Sequence, residues 1–453
     1  MPGLIAAIGV LIILGAVMAA AKLCGGRLPP EGSRKAVHIV MGCTALAFPW
    51  LFADRFTVVC LGLAAITMLL FTRKNKFLRD GIGSALFGVQ RQTLGDIYFV
   101  ISIVVVFTLH ESVYEYLIPI AVLTFADSAA ALVGTSYGRN NMAQHADEDV
   151  KNSEGSVMFF LVAFICALVP LQLMSEVGRA EVLAVSFLIG FLAALVEAVS
   201  RHGNDNLLLP LLTYSFLRYN TAQPVGMILA NFGIMLVLSV VIIIVYKITN
   251  ITRLSMAYSL LVAYIVIIQG GLAWLVPPLM IFVTFGVLPM MKSAERQMTQ
   301  TYKAIECNTV VGVVCLWLSV LFPAHRETLY IAFSLSFAIH LAVNTFSRLV
   351  NFNGVNAEIS VIYGLMKSFI FVALPVWGIS GMKWPVLALY VVFITISMFL
   401  VMPLNKKYDY KNMDFDAARL NALRMNRICL AGSLTAVFTV ILMIAGGFYD
   451  ISG

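Results

Sequence analysis

The sequence predicts an all-α polytopic membrane protein. Two observations carry that expectation. Hydrophobic residues make up 60% of the chain and charged residues only 12%. Soluble domains carry roughly 25% charged residues, so a soluble fold of this size could not coat its surface. Apolar runs of about 20 residues also recur along the chain, the length an α-helix needs to cross the hydrocarbon core. Leu4 to Ala21, Phe56 to Phe71, Val157 to Met174, Gly226 to Tyr246 and Val386 to Met402 are clear cases. The net charge of +7 would suggest nucleic acid in a soluble protein. Here it reads as orientation, because Lys and Arg concentrate on the cytoplasmic side of membrane proteins, and no nucleic-acid partner is expected. The seven cysteines show no C-x-x-C spacing and read as small buried hydrophobes.

In chain order, the candidate spans of the first half are residues 4–21, 36–53, 56–71, 97–109, 116–134, 157–174 and 182–200. Ala19-Ala20-Ala21 looks like a cleavage site, but no Lys or Arg precedes the first run, and a signal peptide wants a basic leader. Lys22, Arg27, Arg34 and Lys35 follow instead, which predicts a retained first helix with its N-terminus outside. Alternation then places loops 22–35, 72–96, 135–156 and 201–205 in the cytoplasm. These loops also hold Arg73, Lys74, Lys76, Arg79, Arg91, Arg139, Lys151 and Arg201, whereas the opposite loops hold only Arg55 and Arg179. In the second half, basic loops near 292–307 and 404–427 both fall inside only if Asn206 to Leu217 crosses. Those twelve residues rise about 18 Å, short of a roughly 30 Å core. The segment therefore crosses a thinned site or is re-entrant. About 14 to 16 transmembrane helices are expected, with a chemically active module in 1–223 and a hydrophobic helical extension in 224–453.

Four polar clusters stand out in the first half. In Glu31 to His38, helical spacing puts Arg34, Lys35 and His38 along one face; anchoring explains the two basic residues, but His38 lies deeper. In Arg91 to Tyr98, Gly95 permits a turn, and Asp96 is either a helix cap or a functional acid. The third cluster runs from Phe125 to Arg139 and resumes at Lys151. Its Asp127 lies inside an apolar run, where an acid costs energy and marks a functional candidate. Gly134, Gly138 and Gly155 can present backbone N–H groups to phosphate oxygens, and Arg139 and Lys151 add positive charge for the same oxygens. No Walker loop occurs. The fourth cluster holds Glu197, Arg201, Asp205 and Asn206 before Pro210. An intrahelical Glu197–Arg201 pair is one reading. The other is that Asp127, Glu197 and Asp205, all toward one membrane face, supply oxygen ligands for nucleotide-bound Mg²⁺.

The order R-K-x-x-H, G-[DE]-x-Y, D-x-x-A-x-x-x-G-x-x-[YF]-G, K-x-x-E-G-S and E with D-N-x-x-x-P resembles the polyprenol kinase family. That family includes dolichol kinase, phytol kinase and the CTP-dependent diacylglycerol kinase of fungi. The resemblance covers roughly residues 30–217. It implies transfer of the terminal phosphate of a nucleoside triphosphate, CTP by the resemblance, to the hydroxyl of a membrane lipid alcohol. It implies nucleotide-site roles for Asp127, Gly134, Gly138, Lys151, Glu154 and Gly155, with Glu197, Asp205 and Asn206 completing the site. With the residue-level reading, the catalytic candidates are Asp127, Lys151, Glu197, Asp205 and His38. Arg34, Lys35, Gly134, Gly138, Arg139, Glu154, Gly155 and Asn206 would hold the nucleotide. Asp127 and Asp205 would hold Mg²⁺. Two features depart from the family pattern: Asn152 follows Lys151 where Ser or Thr is expected, and the insert Gln144 to Asp149 is acidic.

Two other functions compete. A CDP-lipid synthase also uses CTP, but its K-D and H-G-G-x-x-D-R signature is missing. A transporter fits the span count, yet its site belongs at the midplane, whereas these charges crowd one face. In the extension, His340, Arg348 and Glu358 are polar groups near membrane depth with no assigned task.

Overall fold

The computed structural model describes residues 2–24, 30–75, 94–138, 151–200, 203–248, 252–284, 302–353 and 355–405. Every element among them is helical, as hydrocarbon demands of a chain that must satisfy its own backbone polar groups. Among the described residues nine helices are long and apolar enough to cross a membrane, and shorter apolar stretches accompany them at Lys35–Leu46, Gly95–Leu109, Leu272–Phe282, Ile305–Val320 and Trp384–Leu400. Large apolar side chains such as Leu4, Phe56, Leu173, Leu229 and Phe399 face outward, the reverse of a soluble surface. The protein is an integral, multi-pass, all-α membrane protein. Two compact units divide it, Met1–Gly233 and Ile234–Gly453.

The first unit begins with α1 (Pro2–Cys24), α2 (Pro30–Leu46), α3 (Arg55–Lys74) and α4 (Gly95–Leu109). One long span follows, made of α5 (Val113–Ala121), a π-helical turn (Val122–Ala126) and α6 (Asp127–Tyr137). Then come α7 (Ser153–Met174), α8 (Arg179–Val199) and α9 (Asp205–Thr221). Helix α10 (Val225–Ile248) straddles the division between units. The α5–α6 span is the unit's centre: Tyr116, Ile118, Ile120, Val122, Leu123 and Ala126 have no exposed surface.

Small residues let the neighbours approach. On α7, Phe159, Ala163, Ala167 and Leu171 recur every fourth residue and are fully buried. On α8, a Cβ at Gly190 would press on the α7 backbone at Phe160 O (3.2 Å) and Phe164 N (3.1 Å). Helix α2 meets the π-helical turn at Gly42, where any Cβ would run into the Thr124 side chain. Tyr116 Oη fixes the same contact by donating to Ala45 O at 2.9 Å. The segment expected to be twelve residues long is the seventeen-residue α9, about 25 Å of rise.

The second unit holds α11 (Arg253–Gly270), α12 (Leu272–Phe282), α13 (Tyr302–Leu321), α14 (Arg326–Asn353) and α15 (Ala357–Ser368). A second π-helical turn (Phe369–Ala373) leads to α16 (Leu374–Ser380), and α17 (Trp384–Asn405) follows. Helix α14 is central, with 94% of its apolar window buried. Asn344 Nδ2 donates to Asn308 Oδ1 on α13 at 3.2 Å, and Ser368 Oγ on α15 donates to Ala338 O at 2.7 Å. His340 is 1% exposed, and its Nε2 has no hydrogen-bond partner.

Candidate active site

The polar clusters converge at one end of the first unit. Lys35 and His38 share a face of α2, as their spacing predicts, and both address Asp127. Lys35 Nζ donates to Asp127 Oδ2 at 2.5 Å, and His38 Nε2 lies 3.7 Å from the same oxygen. Asp127 sits directly after the π-helical turn, ten residues, or roughly 15 Å of helix rise, in from Tyr137. Such turns unseat one carbonyl from the regular ladder and recur at functional sites. The Leu123 carbonyl in this turn lies 3.0 Å from His38 Nε2. A carbonyl only accepts, so that bond puts a proton on Nε2 and, in the neutral ring, leaves Nδ1 as the acceptor. Phe99 packs on the ring at 4.8 Å between centroids.

Lys151, just ahead of α7, reaches the C-terminal end of α8. Its Nζ pairs with Glu197 Oε1 at 2.8 Å and also donates to the Glu197 carbonyl. Burial pulls the Lys151 ammonium down, but the carboxylates of Glu197, Asp205 and Asp127 more than offset it and hold its pKa above the usual lysine value. Asp205 in the first turn of α9 is thus near enough for its charge to reach Lys151. Among the described residues Asp205 forms no ion pair; its Oδ1 accepts from Asn206 N at 3.1 Å. Asn206 Nδ2 donates to Gly95 O at 2.8 Å, tying the starts of α9 and α4 together. Asp96 stands in the first turn of α4, and its Oδ2 is buried with no hydrogen-bond partner among the described residues.

The glycine expectation requires correction. The N–H of Gly138 donates to Gly134 O, the N–H of Gly155 donates to Asn152 Oδ1 at 2.8 Å, and Gly134 lies inside α6. What the glycines provide is room for Asn152. A Cβ on Gly134 would meet Asn152 Oδ1 at 3.0 Å, one on Gly155 would meet the same oxygen at 2.8 Å, and one on Gly138 would strike Asn152 Nδ2. Asn152 caps α7 and donates through Nδ2 to Gly134 O at 2.8 Å, bolting α6 to α7. In the sequence Asn152 stands out only as a departure from the family pattern. Its position directly before an S-E-G-S helix start was the available signal. Glu197, read locally, pairs with Arg201; in the fold its partner is Lys151, and Arg201 lies outside the described residues. Arg139 and the acidic insert also lie outside them. Arg34 is on α2, with its side chain outside the description. Glu154 Oε2 accepts from Ser153 Oγ at 3.3 Å. Among the described residues no three His, Cys, Asp or Glu side chains form a ready-made metal cage.

No protein-family model matches the chain, and no solved structure matches it. A phytol kinase of Synechocystis sp. is 30% identical over 205 residues, which is 44% of this chain and 84% of that kinase. The chain belongs to the phytol kinase-like family. The match is shorter than the first unit, and the family pattern R-K-x-x-H through D-N-x-x-x-P lies wholly within that unit.

Proposed function

We propose that the first unit is a lipid-alcohol kinase. It transfers the terminal phosphoryl group of a nucleoside triphosphate, CTP by the family pattern, to the hydroxyl of a phytol-, polyprenol- or diacylglycerol-like lipid. The observation that carries this reading is the meeting of Lys35 and His38 of α2, Asp127 of α6, Lys151 just ahead of α7, Glu197 of α8 and Asp205 of α9. Phosphoryl transfer needs alignment and charge neutralisation more than covalent help. Lys35 and Lys151 supply positive charge for phosphate oxygens, and their carboxylate partners hold them in place. His38 is oriented by Leu123 O, so Nδ1 is the atom to accept the lipid hydroxyl proton; Asp205 is the second candidate. A site set some 15 Å of helix rise in from Tyr137 suits a hydroxyl carried by a membrane-anchored chain.

Mg²⁺ is usually held by one or two carboxylates together with substrate phosphates. The donors here fit that pattern. Among the described residues Asp205 makes no ion pair, and Asp127 would be the second ligand, so a metal arriving with the nucleotide suits the site better than a resident one. It would supply charge neutralisation at the transferring phosphate.

The test is incubation of the purified chain with γ-labelled CTP or ATP and a panel of phytol, polyprenols and diacylglycerol. Labelled lipid phosphate, formed preferentially with CTP, is expected. No transfer for any donor and acceptor pair overturns the reading.

A further inference from the structure

The second unit contains a cavity of about 400 Å³, within the size range of small-ligand pockets. It opens at the end of the unit where α11 stops and α12, α14 and α17 start. Its lining is divided. Arg326, Glu327 and Lys383 bring charge to one end. Ile331, Val386, Leu389 and Phe393 continue inward, with Phe393 nine residues, or roughly 14 Å of rise, along α17 from Trp384.

Arg326 is held in place. Its Nη2 donates to Gln269 O at 2.9 Å and to Gly270 O at 3.1 Å, the last carbonyls of α11. Its guanidinium lies over the Trp274 ring, 5.7 Å from the centroid. These contacts use one nitrogen and one face, and Nε and Nη1 have no partner among the described residues. A fixed guanidinium with spare donors is a planar anion receptor, above all for phosphate and carboxylate. Helices α14 and α17, of 28 and 22 residues, both begin at the cavity, and their N-terminal dipoles favour the same sign of ligand. Trp384, 68% exposed and 4.9 Å from the Trp377 ring, is the kind of residue that marks headgroup level.

We propose that this cavity binds a phosphate-bearing amphiphile, with the phosphate at Arg326 and Lys383 and the hydrocarbon chain along Ile331, Val386 and Phe393. Arg326 and Lys383 bring positive charge to the mouth and Glu327 negative charge, and it is the fixed Arg326 guanidinium that favours an anion. A wholly apolar lining would accept any lipid tail, and a wholly polar one would suit a soluble anion. The divided lining selects a molecule with both parts. The inference stands on the second unit alone and does not depend on the kinase reading.

Native mass spectrometry of the full chain in a neutral detergent tests it with three probes: phosphatidylglycerol, phosphatidylcholine of the same chains, and glycerol 3-phosphate. Phosphatidylglycerol is expected to bind at least about tenfold better than phosphatidylcholine, the scale of one or two charge-assisted hydrogen bonds, and glycerol 3-phosphate weakly. The double variant Arg326→Gln, Lys383→Gln should erase the preference. Glu327→Gln should raise phosphatidylglycerol binding, and Val386→Trp, which fills the apolar wall, should lower it. Should the double variant fail to fold, the last two variants decide. Equal binding of the two lipids, or no response to Glu327→Gln and Val386→Trp, overturns the proposal. Glycerol 3-phosphate binding as tightly as the lipid also overturns it, since that would be a soluble-anion site.

Discussion

Asp127 is an acid at membrane depth that carries a lysine at 2.5 Å and a histidine at 3.7 Å. Removing only one partner of a buried pair costs about 3–5 kcal/mol because it strands the other charge. Lys35→Met is therefore expected to lower thermal stability sharply, and the double variant Lys35→Met, Asp127→Asn to recover much of the loss. Equal unfolding temperatures for single and double variants in detergent would show that the pair is not coupled. Asp127→Asn alone keeps size and polarity while removing the charge. It also strands Lys35 and so should lower the unfolding temperature; in the protein that remains folded, phosphoryl transfer is expected to fall by at least about 10², the scale of one electrostatic or acid–base contribution. Near-normal turnover across several lipid alcohols would take Asp127 out of the mechanism. The Lys151–Glu197 pair has its own pH signature. The Lys151 pKa is raised above 10.5 in the fold, so its stabilisation is fully present below that pH and is lost only as pH rises through the folded value. Neutral and mildly alkaline conditions should leave it intact. These charged positions were legible in the sequence because each interrupts an apolar background. Their pairing was not, since Lys35 and Asp127 lie 92 residues apart and nothing local specifies that contact. Glu197 shows the same: its partner among the described residues is Lys151, 46 residues away in sequence.

The irregular elements position these charges. Pro119 interrupts the α5 ladder one turn before the π-helical turn, and that turn hands the Leu123 carbonyl to His38. The span itself was readable from its length and apolarity; the π-helical register inside it was not, because hydropathy does not see a one-residue change in hydrogen bonding. The same holds for the glycines. Their spacing suggested N–H groups open to phosphate, but the Asn152 side chain fills the space they leave. Asn152 makes two separable contributions, the α7 cap and the bridge to Gly134 O. Asn152→Ser retains a capping oxygen and cannot span to Gly134, so it should cost about 0.5–1.5 kcal/mol, the worth of one hydrogen bond. Asn152→Ala loses the cap as well and should cost about 1 kcal/mol more. Thermal unfolding of the two variants checks the order. If alanine proves no worse than serine, the cap adds nothing and the bridge alone joins the helices.

Across the whole molecule, membrane character was legible from composition, and the span count was harder. Among the described residues, apolar helices such as α4 (15 residues) and α12 (11 residues) fall below the length of a full crossing, and hydropathy alone cannot say which of them traverse. Orientation rests on charge asymmetry. The candidate site occupies the end of the first unit where α3 finishes with Arg73 and Lys74. At the other end, Arg55 donates to His110 O at 3.3 Å and Arg218 pairs with Glu111 at 2.6 Å. The positive-inside rule makes a cytoplasmic site end the expectation to test, since nucleoside triphosphates are available there and a site facing the other way would have no donor. Ser136, exposed in the last turn of α6, and Ala53, exposed before α3, report on the two ends. In a background without the seven native cysteines, Ser136→Cys should resist an impermeant thiol reagent in intact cells and react once the membrane is opened. Ala53→Cys should react in intact cells. The reverse pattern would put the lysines and carboxylates on the nucleotide-free side, and the kinase reading would fall with the topology even if every distance in the site were correct.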